Sequence, residues 1–136
     1  MKFLLDANAW IGHLRQTSPA VTARLSQHPA ADVVLCSVVL AELPYGVERS
    51  SPAHRPANLV LIAGLRQWYA SIPFDDPAAE QYGRLRAHLA AHGTPIGPND
   101  LMIAAIALAN QLTLVTHNTA EFGRVPALAL EDWQIP

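Results

Sequence analysis

Lys2-Phe3-Leu4-Leu5-Asp6 opens the chain as an apolar run of strand length that stops at an acid. Val33-Val34-Leu35-Cys36 repeats the pattern between Asp32 and Ser37, and Leu112 to Val115 repeats it before Thr116-His117-Asn118. Apolar runs without alternation suit strands buried on both faces, as in a parallel sheet covered by helices. Ile72 to Phe74 and Ala127 to Leu130 are weaker strand candidates.

Between these runs the apolar spacing changes to that of helices. Tyr82, Leu85 and Leu89 fall at i, i+3 and i+7 on a helix that Asp76 can cap and Pro77 can begin. Pro98 to Gln111 is apolar on nearly every side past its first turn, which predicts a central buried helix. Ala7 to Arg15, Ser37 to Glu48 and Pro56 to Tyr69 complete the helical set, with Ser37 expected as an N-cap. Ser50-Ser51-Pro52 and Gly93 to Gly97 read as loops. Strands alternating with helices imply right-handed parallel crossovers, hence a single α/β domain over residues 1–136 with a mainly parallel central sheet flanked by helices.

Composition narrows the function. With 51% hydrophobic and 15% charged residues the chain is too apolar for a disordered tail, and 136 residues are too few for two ordinary cores. Nine basic against 11 acidic residues leave a net charge of −2, which disfavours nucleic-acid binding by bulk charge. Eight of the nine are arginines, whose planar fork suits individual phosphate contacts. The lone Cys36 excludes a disulfide framework and a thiolate zinc cluster, and is expected to be a small buried residue. The first acid at Asp6 leaves no room for a signal core. The longest apolar run, Leu101 to Ala109, is shorter than the ~20 residues of a membrane helix. A soluble, cytoplasmic protein is expected.

In parallel sheets ligands bind beyond the carboxyl ends of the strands, and that is where the acids fall. Asp6 follows the first strand and Glu42 lies in the helix after the second. Asp100 stands in the first turn of the buried helix, and Asn118 follows the third strong strand. Converging carboxylates raise one another's pKa unless a cation or proton neutralises them. An oxygen-only cluster is what Mg²⁺ or Mn²⁺ prefers, and phosphodiester hydrolysis uses such an ion to activate water and stabilise the leaving oxygen. Taken singly, each of these residues has an ordinary structural role, Asp6 and Asn118 as caps, Asp100 at a helix N-terminus and Glu42 as a helix residue.

The pieces Phe3 to Asn8, Ser37 to Leu43 with Gly46, Ile96 to Ala105, Leu114 to Phe122, and Arg124-Val125-Pro126 through Glu131-Asp132-Trp133 together resemble the PIN-domain ribonucleases. The nearest likeness is to the VapC toxins of bacterial toxin–antitoxin pairs, with the family's order and spacing over the whole chain. The resemblance implies a PIN-like fold and a Mg²⁺-dependent endoribonuclease, with tRNA or ribosomal RNA as the expected substrate. It also implies a homodimer and inhibition by a VapB-type antitoxin whose C-terminal segment enters the acidic groove. Carried onto this chain, the metal-binding acids are Asp6 and Asp100, with Glu42 as third acid and Asn8 as a polar neighbour that helps hold Asp6.

Two departures stand out. Ala7 replaces the usual Thr between Asp6 and Asn8, removing a hydroxyl, and Asn118, expected in the catalytic group with Asp6, Glu42 and Asp100, occupies the fourth acidic position. Glu121, three residues on, is a candidate to replace that carboxylate through a water. Arg86 sits where VapC relatives often carry arginine and is a candidate contact for RNA phosphate or the antitoxin. The departures also keep a second class open, a catalytically impaired PIN-like domain that acts only by binding its partner. His88 and His92 share a helix face, but Leu89 stands where a zinc protease needs its glutamate. A phosphoryl-aspartate enzyme or receiver domain fails because Lys2 is the only lysine.

Overall fold

The computed structural model describes residues 1–135. Pro136, the last residue of the expected domain, lies outside them. The strands are β1 (Phe3–Leu5), β2 (Val33–Cys36), β3 (Ala70–Ile72), β4 (Thr113–Val115) and β5 (Leu130–Glu131). The helices are α1 (Ala7–Leu14), α2 (Pro19–Ser26), α3 (Ser37–Glu48), α4 (Arg55–Trp68), α5 (Asp76–Ala91), α6 (Pro98–Ala109) and α7 (Thr119–Phe122). All strand pairs are parallel, in the order β3-β2-β1-β4-β5.

This is the expected α/β architecture, and its strand order locates the site. The chain leaves β1 toward β2 on one side and returns to β4 on the other, so the order reverses between β1 and β4. A crevice opens beyond the carboxyl ends of strands at such a switch point. Leu5 pairs with Val115 there, and the Asp6 N–H donates to the Val115 carbonyl at 3.1 Å.

The central strands β1, β2 and β4 are buried because helices cover both faces, which is why they read as plain apolar runs. Ile103 to Ala107 of α6 are buried without a break, and Trp10, Phe122 and Trp133 fill the core around the sheet. Cys36 is buried and free. Among the described residues no helix is long and apolar enough to cross a membrane.

The outer elements depart from expectation. β3 starts at Ala70 rather than Ile72 and ends before Pro73, which has no N–H to give a ladder. β5 begins at Leu130 rather than Ala127, because Ala127 takes a left-handed backbone with φ 64°. The cap of α5 is Asp75, whose Oδ1 accepts from the Ala78 N–H at 3.1 Å, and Asp76 is the first helical residue. Cys36 holds the N-cap position of α3, so Ser37 is inside the helix rather than its cap. α2, opened by Pro19 and buried through Val21 and Leu25, was not anticipated, nor was the single turn of α7.

Ala127 gives a first prediction. A left-handed backbone costs a residue bearing a Cβ roughly 1–2 kcal/mol, and glycine's extra chain freedom costs roughly 0.5–1 kcal/mol. Ala127→Gly is therefore expected to stabilise the protein by about 0.5–1 kcal/mol, read as a higher denaturant midpoint with unchanged slope.

Candidate metal centre at the sheet's carboxyl edge

Asp6 is placed by three contacts that follow from its position between β1 and α1. As N-cap of α1 it accepts from the Ala9 N–H through Oδ1 at 2.9 Å. Its Oδ2 accepts from the Thr116 hydroxyl at 2.6 Å, across the switch point. Asp6 is only 7% exposed and Thr116 1%. Burial raises the Asp6 pKa, while the Thr116 and Ala9 hydrogen bonds pull it back down and the Asp132 charge adds to the rise.

Glu42 and Asp100 complete the group. Both have raised pKa values, first from burial and then from other carboxylates, Asp100 and Asp6 acting on Glu42, and Glu121 and Asp6 acting on Asp100. Asp100 is pushed up to about 6. The three acids expected from the sequence are therefore close enough to feel one another. Each also opposes the others' charge, the condition that a cation relieves.

One atom of the group is left without a partner. Glu42 Oε1 is shut off from solvent and has no hydrogen-bond partner, which is costly for a carboxylate oxygen with nothing to coordinate. Among the described residues no three His, Cys, Asp or Glu side chains stand close enough to ligate one ion together. Mg²⁺ keeps several waters and takes only one or two carboxylates directly, so Asp6, Glu42 and Asp100 suit it as a mixed direct and water-bridged shell.

Other expectations change. Asn8 is exposed and makes no side-chain hydrogen bond among the described residues; the support of Asp6 that it was expected to give comes from Thr116 and the Ala9 N–H. Glu121 is held at the site edge by two bonds, Oε1 accepting from the Gly97 N–H at 3.1 Å and Oε2 from Asn118 Nδ2 at 2.8 Å, and each oxygen keeps a further lone pair. Those two bonds hold its pKa below the usual range. Asn118, expected as a catalytic group, spends its side-chain amide on Glu121 and gives its own N–H to Thr116 Oγ1 at 3.0 Å.

Arg86 is exposed on α5 and has no ion pair among the described residues. It lines a groove of about 460 Å³ with Tyr82, Leu89, Pro95, Ile96 and Leu101. His88 and His92 are surface residues on the last turns of α5, as expected.

Thr116 and Asp132 were missed by sequence reasoning. Asp132 follows β5 as Asp6 follows β1, and its Oδ2 lies 2.8 Å from His117 Nδ1. The signal was available in kind, since Thr116 directly follows β4 and Asp132 the half-buried β5, both at the sheet's carboxyl edge. Thr116→Val keeps the volume but leaves Asp6 Oδ2 without its donor and the Asn118 N–H without its acceptor. It is expected to cost about 2–3 kcal/mol in denaturation and to move the Asp6 carboxyl further up in a carbon-detected NMR titration.

Residues 3–128 match the PIN domain family. A relative from Shigella flexneri, named tRNA(fMet)-specific endonuclease VapC, is 39% identical over 133 residues covering 98% of each chain. The protein of the same name from Salmonella typhimurium is 36% identical over 98% of each chain. Among solved structures, DNA-bound VapBC from Salmonella typhimurium matches with a TM-score of 0.90 at 35% identity over 98% of each chain. VapBC2 from Rickettsia felis bound to a promoter DNA fragment matches at 0.87 and 33% identity, over 98% of this chain and 99% of that one. With this coverage, over a sheet with Asp6 at the β1/β4 switch point, the chain belongs to the PIN-domain family and, within it, to the VapC ribonucleases.

Proposed function

We propose that this chain is the RNA-cleaving toxin of a toxin–antitoxin pair, a Mg²⁺-dependent endoribonuclease that also accepts Mn²⁺. The observation that carries the metal site is the convergence of Asp6, Glu42 and Asp100 at the switch point, with Glu42 Oε1 buried and unpartnered. Asp6 and Asp100 are the principal ligands and Glu42 the third acid. When bound, the ion supplies the activation of water and the stabilisation of the leaving 3′ oxygen.

The residues of the chain divide the remaining work. Thr116 and the Ala9 N–H hold Asp6 in one orientation, so it does not have to reorganise when an ion or phosphate arrives. The acidic edge repels a phosphodiester, and the free guanidinium of Arg86 offers a compensating contact. Transfer RNA is the favoured substrate class, because two relatives are tRNA(fMet)-specific endonucleases by name.

The partner is a VapB-type antitoxin, in keeping with the VapBC complexes among the similar structures. The working unit is the single PIN domain of residues 1–136, assembled as a homodimer. Val60 and Trp68 of α4 are 70% and 75% exposed, an uncovered apolar face that favours assembly over a lone chain. The place of action is the cytoplasm, where the substrate RNA is and where the free Cys36 stays reduced.

The test is cleavage of total cellular RNA by purified, antitoxin-free protein with Mg²⁺ or Mn²⁺ against EDTA. Discrete metal-dependent products are expected. A folded, metal-loaded protein that cuts nothing, while a known VapC cuts the same RNA, would leave only the partner-binding role.

A further inference from the structure

We infer that Glu121 is a positioning residue: with Asn118 and Arg124 it latches the Pro95 to Gly97 segment against the site edge and so sets where the helix carrying Asp100 begins. The inference rests on the proposed function, in which Asp100 holds the ion.

Gly97 is the N-cap of α6, and its carbonyl accepts the Leu101 N–H at 2.9 Å. Its own N–H has no place in the helix ladder and is taken by Glu121 Oε1. Asp100 is the third residue of that helix, so a tilt or shift at Gly97 passes to its carboxylate. Arg124, just past α7, makes a second tie, from Nη1 to the Pro95 carbonyl at 3.2 Å. These partners lie 24 and 29 residues apart in sequence, so no local turn would hold them together.

The latch is anchored in the site itself. The Asp6 carboxylate accepts from the Thr116 hydroxyl, whose oxygen accepts the Asn118 N–H. The Asn118 amide then donates to Glu121, which accepts from Gly97. One hydrogen-bonded path thus joins the acid after β1 to the start of the helix that bears Asp100. It also accounts for the amide at position 118: an aspartate there would set a second carboxylate against Glu121 Oε2 with no proton to share.

Gly97 permits a test on the backbone. Its φ of −58° suits proline, and a Cβ built there meets nothing within 4 Å. Gly97→Pro therefore deletes the donated N–H, and Gly97→Ala keeps it. Two readouts serve: hydrogen exchange of the Gly97 amide, and the Mn²⁺ concentration giving half the maximal thermal shift. Glu121→Ala is expected to speed Gly97 exchange and, like Gly97→Pro, to raise the Mn²⁺ midpoint about tenfold. Gly97→Ala is expected to follow the wild type in both. Glu121→Gln, which still offers Gly97 an oxygen and lets Asn118 turn its amide to match, is expected to restore most of the protection and midpoint. Asn118→Asp is expected to raise the midpoint.

Tighter Mn²⁺ binding by Asn118→Asp, or Glu121→Gln as damaging as Glu121→Ala, would show that charge at these positions serves the ion and would overturn the latch. Unchanged Gly97 exchange in Glu121→Ala would overturn it as well. Failure of the functional proposal looks different: the wild type would show neither RNA cleavage nor an ion-dependent shift, while Gly97 exchange still answered to Glu121→Ala and upheld the latch.

Discussion

Asp6→Asn is expected to cut metal-dependent RNA cleavage roughly 1,000-fold or more, because several kcal/mol of transition-state charge stabilisation leave with the ligand. The fold should survive the change. Asparagine keeps an oxygen for the Ala9 N–H, and its new amide can donate to the Thr116 hydroxyl, which turns to accept. The buried Thr116 hydroxyl proton then needs a new acceptor, at a cost of about 1–2 kcal/mol, while one of several mutually repelling charges disappears.

That loss of charge has its own signature. Burial and Glu121 push Asp100 up more than Asp6 does, so Asp6→Asn should bring the Asp100 carboxyl down only slightly from about 6. An NMR titration of the two proteins without metal reads this directly. A mutant that cuts RNA as fast as the wild type would remove Asp6 from the metal site. A mutant that is inactive but leaves Asp100 unmoved would mean that Asp6 acts without sharing the electrostatics of the cluster.

What was legible in the sequence follows from burial. β1, β2, β4 and α6 are covered on all sides, so their composition is almost purely apolar and their limits lie close to the apolar runs. At the edges the chain obeys local rules that are weaker in the text. Pro73 ends β3 early, Ala127 delays β5, and α2 shows only Val21 and Leu25 to mark it as packed. The three acids could be found because the strand ends bring them to one edge. The groups that orient them could not, since Thr116 meets Asp6 across 110 residues and Glu121 meets Gly97 across 24. Asn8 shows the converse: its place beside Asp6 in the sequence suggested contact, yet the first turn of α1 leaves it exposed.

Asp100→Asn should reverse its effect on stability according to whether an ion is present. Without metal, Asp100 titrates at about 6 in the folded state against 3.8 for the ordinary group. The folded protein therefore binds more protons than the unfolded chain between about pH 4 and 6, and its stability falls as pH rises through that window. The full deficit is present above about pH 6, and none remains below about pH 4. Asparagine carries no such deficit. Discounted for the solvent that still reaches this carboxyl, the mutant should be more stable than the wild type by about 1–2 kcal/mol at pH 7–8, and equal to it near pH 4. Saturating Mn²⁺ or Mg²⁺ changes the order, because an ion that binds only the folded state stabilises it by RT ln(1 + [L]/Kd), about 2.7 kcal/mol at a hundred times Kd. The wild type gains that term and the mutant loses most of it. Protons and ion compete for the same carboxylate, so the wild type's cleavage should rise with pH through about 6 at subsaturating metal and flatten when metal is saturating. Denaturant melts at pH 4 and 7.5, with and without the ion, check each part. A mutant less stable than the wild type at pH 7.5 without metal would show that Asp100 is held by favourable contacts rather than poised for a cation.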